Sequence, residues 1–305
     1  MKEVILQTHN LTKKYKENTV LDHVNITIKK GDIYGLIGRN GAGKTTLMKL
    51  ITTLSLPTSG TFTLFGTESN SRDLFDNKKR VGSLIEYPAF YPNLSAKDNL
   101  KYYAIQRGIT DLSQVDKVLE LVNLTNTGRK KVKTFSLGMK QRLGIALAIL
   151  NNPDFVILDE PINGLDPIGI SELRSTFKKL ANNGVTLLIS SHILSELYLL
   201  STRFGFIEKG KLIKEVTKEE LDIECSKCLV IKTDDSKKVT YLLENNLHTK
   251  NYKVINEEEV RLYEFLDIPE KVSALLAENH LKIKGFYEYG ISLEDYFKDM
   301  IKEAE

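Results

Sequence analysis

The stretch that decides the fold of this 305-residue chain is Gly38-Arg39-Asn40-Gly41-Ala42-Gly43-Lys44-Thr45. It fits the phosphate-binding pattern G-x-x-x-x-G-K-[ST] at every position. The apolar residues 33–37 before it predict a short buried strand, and residues 46–51 after it predict the start of a helix. In that setting glycines let backbone N–H groups curl around a phosphate, and the helix N-terminus adds the positive end of its dipole. A chance glycine-rich turn is the alternative, and the strand and helix on either side argue against it.

The residues of this loop have expected tasks in holding a nucleotide. Lys44 is expected to reach the β- and γ-phosphates, and the Thr45 hydroxyl is expected to bind Mg²⁺. The residues that we expect to surround the phosphates are Gly38, Asn40, Gly41, Ala42, Gly43, Lys44, Thr45 and Thr46.

Composition and charge exclude several classes of protein. Hydrophobic residues make up 41% of the chain, which is ordinary for a globular protein, and the length allows two domains. The net charge of +3, with lysines and glutamates interspersed, lacks the concentrated basic face of a nucleic-acid-binding protein. No apolar stretch is long enough for a transmembrane helix, and the N-terminus lacks the apolar core of a signal peptide. We therefore expect a cytoplasmic chain that reaches a membrane only through a partner.

The two cysteines, Cys225 and Cys228, have the spacing C-x-x-C. A zinc site needs four ligands, and no second cysteine pair or histidine pair accompanies them. A redox pair needs a thioredoxin-like βαβ setting, which the surrounding sequence does not offer. We therefore interpret both residues as incidental thiols.

The sequence pattern divides the chain into residues 1–217 and residues 218–305. Short alternating runs up to about residue 30 predict antiparallel strands. From there to about residue 210, apolar strands alternate with helices, which is typical of a mostly parallel sheet covered by helices. A helix-rich insertion at about residues 88–140 interrupts this alternation, with helices predicted at Ala96–Gly108 and Gln114–Val122.

The smaller part predicts a separate α+β domain. Its order of elements, βαββαβ, resembles a small ferredoxin-like domain. A last helix is expected to follow, with Ser292 as its N-cap and Asp295 three residues on. No phosphate-binding, metal-binding or catalytic signature falls in this part. The predicted strands and helices are Leu229–Thr233, Lys237–Asn245, Tyr252–Ile255, Val260–Phe265, Glu270–Asn279 and Ile283–Tyr289.

Two adjacent acids, Asp159 and Glu160, end the apolar run Phe155–Leu158. A buried parallel strand delivers such residues to its carboxyl end, where α/β sheets bind their ligands. Asp159 is expected in the Mg²⁺ shell, and Glu160 is expected to polarise the attacking water. A strand that ends in Asp-Glu is common by itself, and the phosphate-binding loop makes the functional interpretation the stronger one.

Between the loop and these acids lies Phe135-Ser136-Leu137-Gly138-Met139-Lys140-Gln141-Arg142. Ser136 and the Gly138 backbone begin a helix, so they form a second helix terminus suited to an anion. Together with the loop and the acids, this segment resembles the ATP-binding cassette (ABC) family, whose signature is usually written LSGGQ. The resemblance covers residues 1 to about 215.

Three further positions resemble functional residues of that family. Tyr15 resembles the aromatic residue that stacks on adenine, although surface packing is the usual role of a tyrosine near a strand end. The segment Gly164-Leu165-Asp166 resembles the D-loop, which crosses the dimer interface in the family. His192, after a strand predicted at Val185–Ile189, resembles the switch histidine that contacts the γ-phosphate, although a lone histidine is more often structural.

Two departures from the family pattern are informative. Glu86 stands where the family has a glutamine, and its carboxylate can approach Mg²⁺ while adding negative charge near the γ-phosphate. In the signature, Leu137 replaces a glycine and Lys140 replaces the glutamine. With a tail that ends in Ser292–Phe297, these features resemble the bacitracin-resistance and lantibiotic-immunity branch of ABC exporters.

The resemblance implies a P-loop NTPase cassette with an antiparallel β subdomain and a helical subdomain, followed by the small C-terminal domain. Two copies are expected to hold two ATP molecules head to tail. The implied nucleotide contacts are Tyr15, Glu86, Ser136, Gly138, Asp159 and Asp166 beside the loop residues. Thr45, Glu86 and Asp159 are the implied Mg²⁺ ligands, and Lys44, Glu160 and His192 the implied catalytic residues.

The expected function is ATP hydrolysis that energises export through separate integral membrane permease subunits. A peptide antibiotic of the lantibiotic or bacitracin type is the expected cargo, and a lipid or hydrophobic drug is the alternative. A non-transport ABC ATPase is disfavoured, because the chain has one cassette without a long coiled-coil insertion. The aromatic stretch Tyr87–Tyr91 is the expected docking groove for the permease, and a core cluster within the helical block is the alternative.

Overall fold

The computed structural model describes residues 2–86, 89–290 and 292–304, and its contacts divide the chain after Lys218 into two units. No helix in these ranges is both long enough and apolar enough to span a membrane. In chain order the first unit contains β1 (Val4–Tyr15), β2 (Asn18–Val24), β3 (Thr27–Lys29), β4 (Ile33–Ile37), α1 (Lys44–Ile51), β5 (Ser59–Leu64), β6 (Thr67–Glu68), α2 (Leu74–Lys78), β7 (Val81–Leu84), α3 (Ala96–Gln106), α4 (Ser113–Leu121), α5 (Leu137–Ile149), β8 (Phe155–Leu158), α6 (Pro167–Asn182), β9 (Thr186–Ser191), α7 (Leu194–Tyr198), β10 (Arg203–Glu208) and β11 (Lys211–Thr217).

The early strands form an antiparallel sheet with the order β2-β1-β5-β6, and β3 also pairs with β1. Along β5 buried residues alternate with more exposed ones, as expected of a sheet that has one face on the core. Phe62 of β5 and Leu6 of β1 pack into the same apolar cluster as Leu36 and Ile157 of the main sheet. The antiparallel subdomain and the main sheet therefore share one core.

The main sheet has the order β11-β10-β4-β9-β8-β7. Its strands run parallel except for β11, which pairs antiparallel with β10 at one edge. Every residue of β4, β8 and β9 is buried, because both faces of this sheet are covered. The carboxyl ends of β4, β9 and β8 are neighbours in this order, and the loops that follow them lie at one edge of the sheet.

The insertion between β7 and β8 is helical, with α3, α4 and the start of α5. Ser95 begins α3 as its N-cap, since its hydroxyl accepts a hydrogen bond from the Asp98 N–H at 3.1 Å. Buried residues on α3 and α4, such as Leu100 and Val115, form the apolar side of the insertion. In the part of the chain that the structure describes, an isolated antiparallel β-bridge joins Ser95 and Lys131 within this insertion.

The second unit is a four-stranded antiparallel sheet with helices on one face. Its apolar cluster includes Leu229 and Ile231 of the sheet, with Val239 and Leu276 of the helices. The strand order is β13 (Tyr252–Asn256), β14 (Glu259–Leu262), β12 (Cys228–Thr233) and β15 (Ile283–Tyr289), which places the first and third strands of the domain in the centre, and the predicted order βαββαβ is present. Its elements are α8 (Lys218–Cys225), β12 (Cys228–Thr233), α9 (Ser236–Asn246), β13 (Tyr252–Asn256), β14 (Glu259–Leu262), α10 (Pro269–Glu278), β15 (Ile283–Tyr289) and α11 (Leu293–Ala304).

Two local predictions concern this second unit. The Ser292 hydroxyl accepts a hydrogen bond from the Asp295 N–H at 3.0 Å, so Ser292 caps the last helix in the predicted way. Cys228 carries a free thiol, and burial raises the pKa of that thiol. A raised pKa keeps this thiol protonated and unreactive.

Candidate nucleotide-binding site

The loop between β4 and α1 has room only for glycine at two of its positions. A methyl group on Gly38 would lie 2.4 Å from the carbonyl oxygen of Ile207. On Gly43 it would lie 2.8 Å from Leu21 Cδ2, and the φ of Gly43 is 109°, which side chains rarely adopt. Gly43 is the N-cap of α1 and provides no side-chain hydrogen bond. The first N–H groups of α1 are therefore left for a ligand.

Lys44 lies inside this loop and is only 5% exposed. Its ammonium donates to the carbonyl oxygens of Gly38 at 2.6 Å and Arg39 at 3.1 Å. The same Nζ lies 3.1 Å from Oε1 of Glu160. Glu160 belongs to the loop after β8, which is two strands away from β4 in the sheet. The loop thus holds the Lys44 ammonium, which can balance the charge of a phosphate, close to the acid that is expected to activate water.

Hydroxyl groups from two neighbouring segments hold Asp159. The Thr45 hydroxyl donates to Asp159 Oδ2 at 2.6 Å, and the Ser190 hydroxyl donates to Oδ1 at 2.7 Å. Ser190 also accepts a hydrogen bond from the backbone N–H of Glu160 at 2.8 Å. Sequence reasoning assigned no role to Ser190, and its one signal was a serine at the end of an otherwise apolar strand. Ser190 thus orients both acids from the strand beside them.

His192 lies beside Glu160. Its Nδ1 is 2.9 Å from Glu160 Oε2, so the carboxylate lies between the Lys44 ammonium and the imidazole. Glu160 has a φ of 47°, which places its side chain out of line with the strand that precedes it. These contacts bring together the three residues predicted to be catalytic.

A cavity of about 220 Å³ opens at this edge of the sheet. Val20 is the one lining residue that sequence reasoning did not name. Tyr15, Glu86, Ser136 and Asp166 are not part of the lining. The lining consists of Val20, Asn40, Gly41, Gly43, Lys44, Thr45, Thr46 and Glu160.

Thr45 and Asp159 fit a magnesium ion. Both present oxygen atoms, which are the ligands that Mg²⁺ prefers, and their side chains already lie 2.6 Å apart. No group of three His, Cys, Asp or Glu side chains arranged for a metal occurs within residues 2–86, 89–290 and 292–304. A set of two protein oxygens is usual for Mg²⁺ bound with substrate phosphates and water.

Glu86 forms an ion pair with Lys49 of α1. The Lys49 ammonium donates to Glu86 Oε1 at 2.5 Å. The hydrogen bond from Glu86 is the largest cause of a raised pKa for Lys49, and Asp159 also contributes through its charge. The role of Glu86 as a Mg²⁺ ligand stays a prediction.

Tyr15 lies at the end of β1 with 48% of its surface exposed. The Lys13 ammonium lies 4.8 Å from the centre of its ring and donates to the Leu56 carbonyl oxygen at 2.6 Å. The exposed ring is compatible with stacking on a base, and that role stays a prediction.

The signature segment begins α5. The Ser136 hydroxyl accepts a hydrogen bond from the Met139 N–H at 3.3 Å and so caps the helix. A methyl group on Gly164 would lie 2.8 Å from Leu137 Cδ2, so the signature packs against the predicted D-loop of the same chain. Asp166 caps α6 by accepting a hydrogen bond from the Gly169 N–H at 3.1 Å. The signature and the D-loop segment form one surface next to two capped helix termini.

The predicted docking stretch is partly described: Tyr87 and Pro88 lie outside the described residues. Tyr91 packs in an aromatic cluster, with its ring centre 4.5 Å from that of Tyr102. Phe90 instead lines a groove of about 360 Å³. The other residues of this groove are Pro92, Val132, Lys133, Leu137, Lys140 and Gln141.

Comparison with known proteins places this site in a family. Residues 21–163 match the family described as ABC transporter. The bacitracin transport ATP-binding protein BcrA of Enterococcus faecalis is 44% identical over 302 residues, which cover 98% of this chain and 97% of BcrA. The chain belongs to the ABC transporter ATP-binding proteins. It is therefore an ABC ATPase, and the predicted family and α/β fold class are confirmed.

Two further similarities bear on this ABC ATPase. The lantibiotic transport ATP-binding protein SrtF of Streptococcus pyogenes is 49% identical over 211 residues, which cover 69% of this chain and 90% of SrtF. Among solved structures, a dimeric post-hydrolysis state of the ATP-binding cassette MJ0796 with ADP and Pi is 25% identical, with a TM-score of 0.63. That match covers 70% of this chain and 99% of the other.

Proposed function

We propose that this ABC ATPase energises the export of a peptide antibiotic of the bacitracin or lantibiotic type. The observation that carries the proposal is the 44% identity to BcrA across both the cassette and the C-terminal unit. The shorter relative SrtF, with 49% identity, supports the same class of cargo. In such systems the permease binds the cargo, so the class of cargo is proposed from these relatives alone. The nucleotide site supports only the hydrolysis of ATP that energises transport.

The loop and acid residues divide the hydrolytic work among themselves. Lys44 would balance negative charge on the transferred phosphoryl group, and the N-terminus of α1 would hold its oxygens. Thr45 and Asp159 would hold Mg²⁺, which supplies charge neutralisation of the phosphates. Glu160 would accept a proton from the attacking water, and His192, 2.9 Å from its carboxylate, would orient it.

A second copy of the chain would complete each site. One chain carries one phosphate-binding loop and one signature, and Ser136 and Gly138 do not line the cavity of their own chain. The signature of the partner would therefore close on the nucleotide. ATP that binds the closed dimer better than the open one shifts the equilibrium by that difference in affinity.

The permease would dock on the groove that Phe90 lines. Its lining includes the apolar residues Pro92, Val132 and Leu137 and the basic residues Lys133 and Lys140. Arg129, Lys130 and Lys131 are also exposed and lie directly before it in the chain. This chemistry suits an amphipathic cytoplasmic segment with acidic side chains. Attachment through that segment would place the chain at the inner face of the membrane.

The test compares host strains that carry the wild-type chain or Glu160→Gln. We expect the variant to bind ATP but to lose about 10²–10⁴-fold in turnover, which is the usual contribution of a general base. The strain should then become sensitive to bacitracin or lantibiotics and keep its resistance to unrelated drugs, measured as growth inhibition. Glu278→Gln, an exposed substitution in the second unit, is the matched control and should leave resistance intact.

Two results would contradict two different parts of this proposal. Sensitisation to lipophilic drugs alone would assign the cargo to the alternative class of lipid or hydrophobic drug. Wild-type turnover by purified Glu160→Gln would remove Glu160 from its catalytic role, whatever the cargo.

A further inference from the structure

One face of α1 contacts the ends of two neighbouring strands. Thr45 near the start of the helix donates to Asp159 after β8 at 2.6 Å. Lys49, four residues later on the same face, donates to Glu86 after β7 at 2.5 Å. The two hydrogen bonds thus join successive turns of the helix to the edge of the sheet where the nucleotide site lies.

Backbone pairing between β7 and β8 keeps the two acceptor residues, Asp159 and Glu86, side by side. Leu84 pairs with Leu158 in the register of β7 and β8. The Asp159 N–H donates to the Leu84 carbonyl oxygen at 2.9 Å, two residues before Glu86. Glu86 therefore leaves its strand beside the predicted magnesium ligand, and its direction from there depends on its side-chain partner.

A carboxylate at this position adds a negative charge to a site that must hold the anionic phosphates. Asp159 and Glu160 are already there, and Lys44 is paired with Glu160. A glutamine at position 86 would add no charge. The Lys49 ammonium offsets the charge of Glu86, and its hydrogen bond gives that carboxylate a fixed direction.

We infer that Lys49 is a positioning residue that holds the Glu86 carboxylate on α1, and that this contact offsets the charge of Glu86 at the edge of the nucleotide site. The inference rests on the proposed function, since it takes this edge as the nucleotide site. Without Lys49, the free carboxylate repels the phosphates of a bound nucleotide. The consequence is specific: Lys49 matters for nucleotide binding only when the side chain at position 86 carries a charge.

The test is a double-substitution cycle with the full chain: wild type, Lys49→Met, Glu86→Gln, and both together. The dissociation constant of a fluorescent ATP analogue is measured by titration in EDTA and again with Mg²⁺. In EDTA we expect Lys49→Met to weaken binding about tenfold when Glu86 is present, and by less than about twofold in the Glu86→Gln background. Lys49→Arg should retain wild-type affinity, because it keeps the charge.

A matched control separates this effect from general loss of surface charge. Lys79→Met removes a lysine from a comparable exposed ion pair, 2.7 Å from Asp76, and should leave affinity unchanged. Thermal melting of all variants should change little, since exposed ion pairs contribute little to stability.

Two different results would overturn two different statements. An equal loss from Lys49→Met in both backgrounds would overturn the positioning role and assign Lys49 a direct attraction to the nucleotide. Failure of the wild-type chain to bind the analogue at all would instead overturn the proposed nucleotide site.

Discussion

Two helix N-termini in this chain have opposite chemistry. Helix α1 begins after Gly43, which has a left-handed backbone and gives the helix no side-chain cap. Helix α5 begins after Ser136, whose hydroxyl already accepts the Met139 N–H at 3.3 Å. The first terminus offers its N–H groups to a ligand, while the second has one of its own satisfied by the chain. A single chain should therefore bind nucleotide through α1, and α5 should contribute only across a dimer.

The largest loss of nucleotide affinity at the uncapped terminus of α1 is expected from Gly43→Ala. Its methyl group would meet Leu21 and the Val20 carbonyl at a φ of 109°, so the open terminus would be distorted. We expect a loss of about 100-fold or more in affinity for a fluorescent ATP analogue, since several backbone hydrogen bonds to phosphate depend on this turn. Gly66→Ala is the control, because Gly66 also has a positive φ of 78°, nothing lies within 4 Å of its added methyl group, and it does not line the cavity. Equal losses in both variants would show that strain at a positive φ explains the effect alone.

An intermediate effect is expected from Ser136→Ala, which acts on the capped terminus. Loss of the cap should lower the free energy of unfolding by about 1 kcal/mol and leave nucleotide affinity of the single chain unchanged. In a Glu160→Gln background, ATP-dependent dimerisation measured by size-exclusion chromatography with light scattering should be strongly reduced. Ser95→Ala removes an equivalent cap from α3 and should leave dimerisation intact. Wild-type dimerisation by Ser136→Ala would contradict the role assigned to α5.

The smallest effect on dimerisation is expected from Leu137→Ala, in the first turn of α5. Leu137 is 45% exposed and packs on Gly164, so its truncation should change stability by less than about 1 kcal/mol. Dimerisation should weaken by about threefold, because the segment around Gly164 loses a contact, and a threefold change is well under 1 kcal/mol. Ile168→Ala, which is more exposed, tests whether loss of surface apolar area alone has this effect. Equal weakening in both variants would remove the specific role of Leu137.

Much of the site could be predicted from sequence because its residues follow strand ends. The pattern from Gly38 to Thr45 fixes a loop and a helix terminus, and Asp159 and Glu160 end a buried strand. Parallel strands then bring these ends to one edge, whatever the length of chain between them. This is why Lys44 and Glu160 could be grouped before their distance was known, whereas His192 was assigned through its resemblance to the family's histidine.

The contacts that escaped prediction join segments whose meeting depends on side-chain packing. Ser190 and Asp159 are 31 residues apart, and Lys49 and Glu86 are 37 apart. Neither pair belongs to a periodic pattern. The contact of Leu137 with Gly164 depends in the same way on how α5 meets the loop before α6. Motif spacing therefore identifies residues that contact a ligand. It identifies less readily the residues that orient those ligand contacts.

Ser190 shows what such an orienting residue means for moving this site into another protein. Its one hydroxyl donates to Asp159 and accepts from the Glu160 backbone, and it belongs to the strand next to theirs. A strand ending in Asp-Glu, transplanted alone, would bring two acids without the group that aims them. The smallest unit that could transfer the two acids together with Ser190 is therefore a pair of adjacent strands.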